Sequence, residues 1–400
     1  MRHVWKAVAV IACAVLIGVA VPSSVRAAEW TPVDSFLIGV VNHMTGPLAL
    51  TGELRKKGHE LAAEELNSSG GINGLPIKLV YEDDQGTNPG AVAATRKLLA
   101  QEPVVAFVIE RSTMVNAVHP IIQQEKVPTL FGATAWSISS ELKNPWFFRM
   151  RLDDRATAAI MAKFLVEELK RTKIAALYAA DVFGEGGNKE TAAYLKEKYN
   201  LTPVNSQKYT SGTKDYTAQL LAIKSSGADA IYAWGTNSED NAIILRQFKQ
   251  LGLNMDFIGS AAYASAISLD LAGANANGIY SVYDFAFEDT RPQLQTWIKA
   301  YRAKYKDDPD FWSLYTYDMV KLIADAAKRA GIVRKDGNRY MQMPLPEARA
   351  ALAKALRETK TYAGAQGDYS ADEYQNMIHN LAVVKIEDKK AKMVKVIKLN

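Results

Sequence analysis

Short apolar runs alternate with longer amphipathic segments along most of the chain, and this alternation constrains the fold more than any other feature. It begins at Phe36, where "FLIGVV" precedes a segment of helical period, and it continues through "IKLVYED" and "VVAFVI". Strands separated by single helices form parallel sheets through right-handed crossovers. The chain is therefore predicted to have an α/β fold.

The alternating pattern forms two successive groups of strands and helices. The first group ends with "VPTLFGA", and the second begins after "NPWFFRMR" and ends with "GIYSVYDF". A chain of 400 residues also exceeds the length that one hydrophobic core usually serves. We therefore predict two α/β lobes, followed by long helices and by a strand pair formed from "HNLAVVKIED" and "KMVKVIKL".

The first 27 residues have the pattern of a secretory signal peptide. The basic start "MRHVWK" is followed by the apolar run "AVAVIACAVLIGVAV" and by small residues before a predicted cut after Ala27. This apolar run is too short to span a membrane, so the mature chain is expected to be exported to the periplasm. A lipoprotein leader ending at Cys13 is the alternative, and the apolar residues beyond Cys13 argue against it.

Composition excludes several classes of function. The only cysteine, Cys13, lies within the predicted leader, so disulfides and thiolate chemistry are excluded for the mature chain. Removing that leader lowers the formal net charge from +5 to about +2, which leaves no electrostatic basis for binding nucleic acid or an anionic membrane.

The sequence also lacks the motifs of the common enzyme classes. The histidines do not have the spacing of an H-E-x-x-H metal site, and no G-x-S-x-G motif occurs. The segment "FGEGGN" is followed by Lys189 where a dinucleotide loop needs glycine. We therefore predict a protein without catalytic residues, metal or cofactor.

Polar loops follow two strands of the first group, and in parallel sheets such loops bind ligands. Ser112 and Thr113 stand at a predicted helix start, where free amides and the helix dipole favour an anion. In the next loop, Gly132 and Ala133 allow close approach of a ligand, and Thr134 offers a hydroxyl. Helix capping is the alternative for the first pair. Together the loops predict a site for a carboxylate.

Several segments, in matching order and spacing, resemble the periplasmic solute-binding proteins of ABC importers, in the branched-chain amino acid (leucine-isoleucine-valine) class. They are "IGVVNHMTGPLALTG", "GHELAAEELNSSGGINGLPIKLVYEDDQ", "VPTLFGATA", "YAADVFGEGG" and "GADAIYAWG". The resemblance implies the type I periplasmic binding fold: two Rossmann-like lobes with parallel sheets, joined by three hinge crossings. It also implies a ligand clamped between the lobes, no catalysis, and delivery to an inner-membrane ABC permease with its ATPase subunits.

The resemblance predicts where the chain passes between lobes. After the signal peptide, 1–27, we expect lobe 1 to comprise 28–150 and 283–372, and lobe 2 to comprise 151–282 and 373–400. A monomer is expected.

The resemblance leaves the ligand open. It places a ligand carboxylate on Thr134 and on Ser112 or Thr113. Amino-acid-binding members carry an acid after the "FIG" strand to receive the ligand ammonium, but Ala261 stands there in this chain. A desolvated ammonium without a counter-charge costs several kcal/mol, so the missing acid weakens the prediction of an amino acid. Two ligand classes therefore stay open: a branched-chain or other hydrophobic amino acid, and an aromatic or aliphatic carboxylic acid.

Further side chains are predicted to line the ligand site. Asp181, Glu239 or Asp284 are candidates to replace the missing acid. For the aromatic candidates, packing in the core is the alternative to lining the site. For Arg111, the alternative is a side chain exposed to solvent at the start of a helix. The remaining candidates are Thr51, Arg111, Phe183, Thr236, Tyr263 and Trp312.

The predicted function is capture of a small carboxylate ligand and its delivery to an ABC permease. The alternative is a receptor that presents its ligand to a sensor kinase or chemoreceptor, and the sequence does not separate the two functions.

Overall fold

The computed structural model describes residues 29–397, so the predicted signal peptide lies outside the described residues. The strands are β1 (Thr31–Val33), β2 (Phe36–Asn42), β3 (Ile77–Asp83), β4 (Ala106–Ile109), β5 (Thr129–Phe131), β6 (Phe147–Arg149), β7 (Ile174–Ala179), β8 (Asn205–Tyr209), β9 (Ala230–Trp234), β10 (Asp256–Gly259), β11 (Tyr280–Tyr283), β12 (Val333–Asp336), β13 (Arg339–Gln342), β14 (Tyr362–Ala363), β15 (Asp368–Ala371), β16 (Met377–Ile378), β17 (Leu381–Glu387) and β18 (Lys390–Ile397). The α-helices are α1 (Ala49–Ser68), α2 (Asn88–Gln101), α3 (Ser112–Glu125), α4 (Asp154–Lys163), α5 (Val182–Tyr199), α6 (Thr217–Ser225), α7 (Ser238–Gln250), α8 (Ala266–Ala272), α9 (Pro292–Tyr305), α10 (Phe311–Arg329) and α11 (Leu345–Arg357).

The first sheet contains five parallel strands in the order β3-β2-β4-β5-β6. All seven residues of β2 are buried, as expected for a parallel strand that is covered on both faces. Ile38 and Val40 pack with residues of α1 and α10, whereas Leu37 and Val41 pack with residues of α2 and α3. This alternation follows from the two-residue period of a strand. We call this sheet and its helices lobe 1.

The second sheet has seven strands in the order β18-β17-β11-β10-β9-β7-β8. The five strands from β11 to β8 are parallel, whereas β17 and β18 are antiparallel to their neighbours. The predicted C-terminal strand pair therefore forms one edge of this sheet, which with its helices we call lobe 2. Two small antiparallel sheets, β1-β13-β12 and β14-β15-β16, were not predicted from the sequence.

The chain passes between the two large sheets at three places. The first passage joins β6 to α4, the second joins β11 to α9, and the third joins β16 to β17. Because β16 pairs with β15, the chain returns to the second sheet at Leu381, later than the predicted boundary at Glu373.

Helices α1 and α10 approach closely in lobe 1, and Gly58 permits this approach. A Cβ atom at Gly58 would lie 2.2 Å from the carbonyl oxygen of Ser313, a distance that no side chain tolerates. The close packing fixes the start of α10, where Trp312 lies. Within residues 29–397, no helix is long and apolar enough to cross a membrane.

Candidate functional site

A cavity lies between the two sheets, where loops from the carboxyl ends of their parallel strands meet. It has two compartments, of about 30 Å³ and about 20 Å³, each large enough for about one or two water molecules. The first compartment is lined by Arg55, Glu110, Arg111, Ser112, Gly132, Ala133, Thr134, Arg151, Phe183, Thr236 and Trp312. The second is lined by Thr134, Arg151, Thr157, Phe183, Trp234, Thr236, Ser260, Ala261, Ala262, Val282, Phe311, Trp312 and Leu381.

Most of the side chains predicted from sequence meet at this cavity, although they come from distant parts of the chain. Those that line it are Arg111, Ser112, Gly132, Ala133, Thr134, Phe183, Thr236, Ala261 and Trp312. The loops come together because both sheets direct the carboxyl ends of their parallel strands toward the gap between the lobes.

Three predicted residues lie outside the cavity lining. The Thr51 hydroxyl donates to the carbonyl oxygen of Leu48 at 2.8 Å, so it serves the first turn of α1. Thr113 is half-buried in α3 and does not line either compartment. Tyr263 is fully buried and its ring centroid lies 5.2 Å from that of Phe257, so it is a core residue of lobe 2.

The hydroxyl-bearing loops of lobe 1 are held by a buried arginine that the sequence analysis missed. Ser112 begins α3, and its Oγ accepts from the amide of Ala135 at 3.3 Å. Arg149, the last residue of β6, donates to the carbonyl oxygens of Ala133 at 2.6 Å and Ala135 at 3.0 Å. These bonds fix the loop that carries Thr134.

Two arginines of the cavity are paired with the acids that the sequence analysis offered as ammonium acceptors. Arg111 lies 3.4 Å from Asp181 across the gap between the lobes. Arg151 makes two bonds of 2.8 Å to Asp284. The third candidate, Glu239, is half-buried and lies 3.9 Å from Lys214, which is outside the cavity. None of the three lines either compartment.

Arg55 and Glu110 are the other charged residues of the first compartment, and neither was predicted. The Arg55 Nε donates to the Tyr315 hydroxyl at 3.1 Å, and that hydroxyl donates to Glu110 Oε2 at 3.0 Å. Burial raises the pKa of the Glu110 carboxyl to about 7, against the opposing effect of the Arg55 charge. Glu110 directly follows the strand "VVAFVI". An acid in the first position after a strand could have been predicted from the sequence to face the ligand site.

Aromatic rings form the apolar part of the lining. Phe183 and Trp234 pack edge to face, with ring centroids 5.3 Å apart. Trp312 lies under the Arg55 guanidinium, whose carbon is 4.3 Å from the ring centroid. The indole NH of Trp234 donates to the Thr191 hydroxyl at 3.0 Å, which fixes that ring. The cavity therefore combines hydroxyls and guanidinium groups with aromatic walls.

A sequence profile described as "Periplasmic binding protein" matches residues 36–391, nearly the whole of the described chain. The chain belongs to the periplasmic binding protein family. The match confirms the resemblance found in the sequence. Proteins of this family are exported and bind solutes.

Relatives of this periplasmic binding protein are named for amino acids. It is 29% identical over 301 residues to the leucine-, isoleucine-, valine-, threonine- and alanine-binding protein of Pseudomonas aeruginosa, covering 74% of this chain and 79% of the relative. It is 28% identical over 343 residues to Leu/Ile/Val-binding protein homolog 3 of Brucella melitensis, covering 84% and 87%. The named roles are binding roles, which confirms the prediction of a protein that is not an enzyme.

Solved structures of the family share this fold. The substrate-binding protein LivJ from Streptococcus pneumoniae, in complex with isoleucine, matches with a TM-score of 0.79 and 25% identity, covering 91% of this chain and all of that one. A solute-binding protein from R. palustris in complex with benzoate matches with a TM-score of 0.78 and 19% identity, covering 90% and 96%. The predicted type I periplasmic binding fold is confirmed. Within residues 29–397, no cluster of acidic, histidine or cysteine side chains could hold a metal ion.

Two adjacent glycines in α5 of this periplasmic binding protein, Gly186 and Gly187, differ in how closely they approach Trp234. A Cβ at Gly187 would lie 2.1 Å from the ring of Trp234, whereas a Cβ at Gly186 would meet only an oxygen of Asp154 at 3.4 Å. We expect Gly187→Ala to lower the free energy of unfolding by about 1–3 kcal/mol through overpacking. We expect Gly186→Ala to leave it unchanged or raise it by up to about 1 kcal/mol.

The two variants differ by one position in the same helix, so urea unfolding of both measures packing against Trp234 rather than helix propensity. Equal stability of the two would show that the indole ring moves without cost.

Proposed function

We propose that this protein captures a small carboxylic acid with an apolar body between its lobes and delivers it, as a monomer, to an ABC permease with its ATPase subunits. The ligand carboxylate binds the hydroxyls of Ser112 and Thr134 with nearby backbone amides, and the ring or chain of the ligand packs on Phe183 and Trp312. An aromatic or aliphatic acid fits this lining better than a branched-chain amino acid, the competing ligand class that the names of the relatives suggest.

The charge of the lining is the observation that carries this proposal. Arg55, Arg111 and Arg151 line the cavity, whereas Glu110 is the only carboxyl group among the described residues of either compartment. Such a lining favours an anion. The ammonium of an amino acid would be desolvated among three guanidinium groups. Glu110, whose pKa burial raises to about 7, is the one carboxyl group of the described lining that could face it, so an amino acid is less favoured than an acid without an amino group.

Contacts across the gap support a closing motion. Arg111 of lobe 1 pairs with Asp181 of lobe 2, and the carboxylate of Asp310, which caps α10, accepts from the amide of Ala266 at 2.6 Å. Since the compartments have room for little more than water, a ligand binds while the lobes are apart. Closure around it then forms these contacts.

A thermal-shift screen tests the ligand class. The ligands compared are leucine, isoleucine, benzoate, cinnamate and hexanoate. A ligand present at a hundred times its dissociation constant stabilises a protein by about 2.7 kcal/mol. We expect acids without an amino group to raise the melting temperature, and a rise with the amino acids alone would contradict the proposed ligand.

Deleting the gene and following uptake of the labelled ligand tests transport. Loss of a protein that serves only sensing would leave uptake unchanged.

Thr134→Val tests the carboxylate position. The valine side chain keeps the shape of threonine but cannot donate a hydrogen bond, so we expect the affinity for the acid to fall by about 1–3 kcal/mol. Isothermal titration calorimetry measures the change. Thr134→Ser is the control, because it keeps the hydroxyl and should retain most of the affinity; unchanged binding by the valine variant would remove Thr134 from the site.

A further inference from the structure

Three polar atoms of the first compartment are buried without a hydrogen-bond partner. They are Arg55 Nη1, Glu110 Oε1 and Trp312 Nε1. Their side chains come from α1, from the loop after β4 and from α10, and they are 2%, 1% and 5% exposed. An unpaired buried polar atom costs free energy, and three of them on the lining of one compartment point to a group that binds there.

The other contacts of these side chains hold them in place. Arg55 Nε and Glu110 Oε2 are joined through the Tyr315 hydroxyl, and Arg55 Nε also lies 3.9 Å from Glu110 Oε2. The Arg55 guanidinium stacks on the ring of Trp312. The unused capacity of this cluster is therefore two nitrogen donor atoms and one carboxyl oxygen.

A hydroxyl group is the complement of this set, because it has one O–H donor and two acceptor lone pairs. We propose that the cluster of Arg55, Glu110 and Trp312 binds a hydroxyl group of the ligand, which is therefore a hydroxylated carboxylic acid. The ligand hydroxyl accepts from Arg55 Nη1 and Trp312 Nε1 and donates to Glu110 Oε1. This inference rests on the proposed function, which places the ligand carboxylate on the hydroxyls of lobe 1.

A second carboxylate is the competing occupant of this subsite, and pH separates the two. A carboxylate would be repelled by ionised Glu110 and would need that side chain protonated. The groups that face Glu110 are the guanidinium of Arg55 from α1, the hydroxyl of Tyr315 from α10, the amide of Gly132 after β5 and the guanidinium of Arg151. Burial sets the pKa of Glu110 at about 7 despite these groups.

The two occupants therefore predict opposite trends with pH. A diacid would bind more weakly as the pH rises through about 7 and Glu110 ionises. A ligand hydroxyl donates a stronger, charge-assisted hydrogen bond to the ionised carboxylate, so the preference for the hydroxylated acid should increase over the same range.

Matched acid pairs test the inference by titration calorimetry on the full mature chain. The pairs are benzoate with 4-hydroxybenzoate, cinnamate with 4-hydroxycinnamate, and hexanoate with 6-hydroxyhexanoate. We expect the hydroxylated member of at least one pair to bind tenfold or more tightly, since a site built to bond a hydroxyl discriminates strongly against an analogue that lacks it.

Two conservative variants assign that preference to the cluster. Trp312→Phe keeps an aromatic ring but removes the N–H donor, and Glu110→Gln keeps the side-chain shape but removes the charge. We expect both to reduce the preference to less than about threefold, with a smaller change in affinity for the unsubstituted acid. Trp136→Phe is the control, because Trp136 lies outside both compartments, and it should keep the preference of the parent.

The outcomes distinguish this inference from the function on which it rests. If no acid binds, the proposed function fails and the inference fails with it. If acids bind but no pair shows a preference, only the inference is overturned, and water alone fills the subsite. Tightest binding by a diacid, with affinity that decreases as the pH rises, would overturn it in favour of a second carboxylate.

Discussion

Arg149→Met is expected to lower the free energy of unfolding by about 3–5 kcal/mol, which is typical for breaking a buried charged network. Arg149 is fully buried. It donates to the carbonyls of Ala133 and Ala135, to the Ser139 hydroxyl at 2.8 Å and to Asn376 Oδ1 at 2.9 Å. Methionine has a side chain of similar length but donates to none of these acceptors, so four buried or half-buried oxygens lose their shared partner.

Urea unfolding measures this loss, and ligand titration of the folded variant should show weaker binding as well, because the loop released by the substitution carries Thr134. The matched control is Arg302→Met. Arg302 is half exposed and pairs with Asp308 at the surface, and such pairs contribute about 0–1 kcal/mol. A loss at Arg149 as small as that of the control would contradict the structural role given to it.

Asp284→Asn is expected to have an effect of similar size, about 3–5 kcal/mol of unfolding free energy. The Asp284 side chain is 1% exposed and that of its partner Arg151 is 14% exposed. Asparagine preserves the shape of the acid but not its charge, so the mostly buried guanidinium loses the carboxylate that is bonded to it.

A double variant distinguishes the charge effect from simple loss of packing. Replacing Arg151 with methionine and Asp284 with leucine removes both charges together, and this change should be less destabilising than Asp284→Asn alone. The single variants Arg151→Met and Asp284→Leu complete the comparison. If the double variant loses as much unfolding free energy as these two lose together, the pair does not interact in the way that its geometry indicates.

The sequence predicted the parts of this protein that depend on local pattern. Ser112 and Thr134 lie three residues beyond the ends of β4 and β5, so the period of the strands and the rule for parallel sheets predicted both of them in loops that could bind a ligand. Ala261 was singled out by the resemblance, because it stands where amino-acid-binding members carry an acid after a strand. The meeting of the two lobes around a ligand followed from the resemblance rather than from any single segment.

Side chains whose surroundings are set by distant segments were missed. Arg55 lies in the charged stretch "ELRKKGHE", where it looks like a solvated helix residue. It is buried only because α10 packs against α1, and its hydroxyl partner Tyr315 comes 260 positions later in the chain. Tyr263 shows the opposite case: it was predicted to line the site because it comes just after a strand, but its side chain packs against Phe257 in the core of lobe 2.

The small antiparallel sheets were missed because their strands carry little hydrophobic signal. Strands β12 and β13 read "VRKD" and "RYMQ", and most of their residues are exposed or half-buried. Their pairing depends on backbone bonds and on the short turn between them rather than on an apolar face.

The three passages between the lobes are joined to one another by side chains. Arg151 of the first binds Asp284 of the second, and Gln366 Nε2 lies 2.7 Å from Asp284 Oδ1 and 3.1 Å from Nε2 of His379 in the third. Side chains therefore couple the three passages, and we expect a displacement of one passage to move the other two with it. Because Arg151 also lines the cavity, its substitution should alter ligand binding as well as this coupling, whereas substitution of Gln366, which lines neither compartment, should alter the coupling alone.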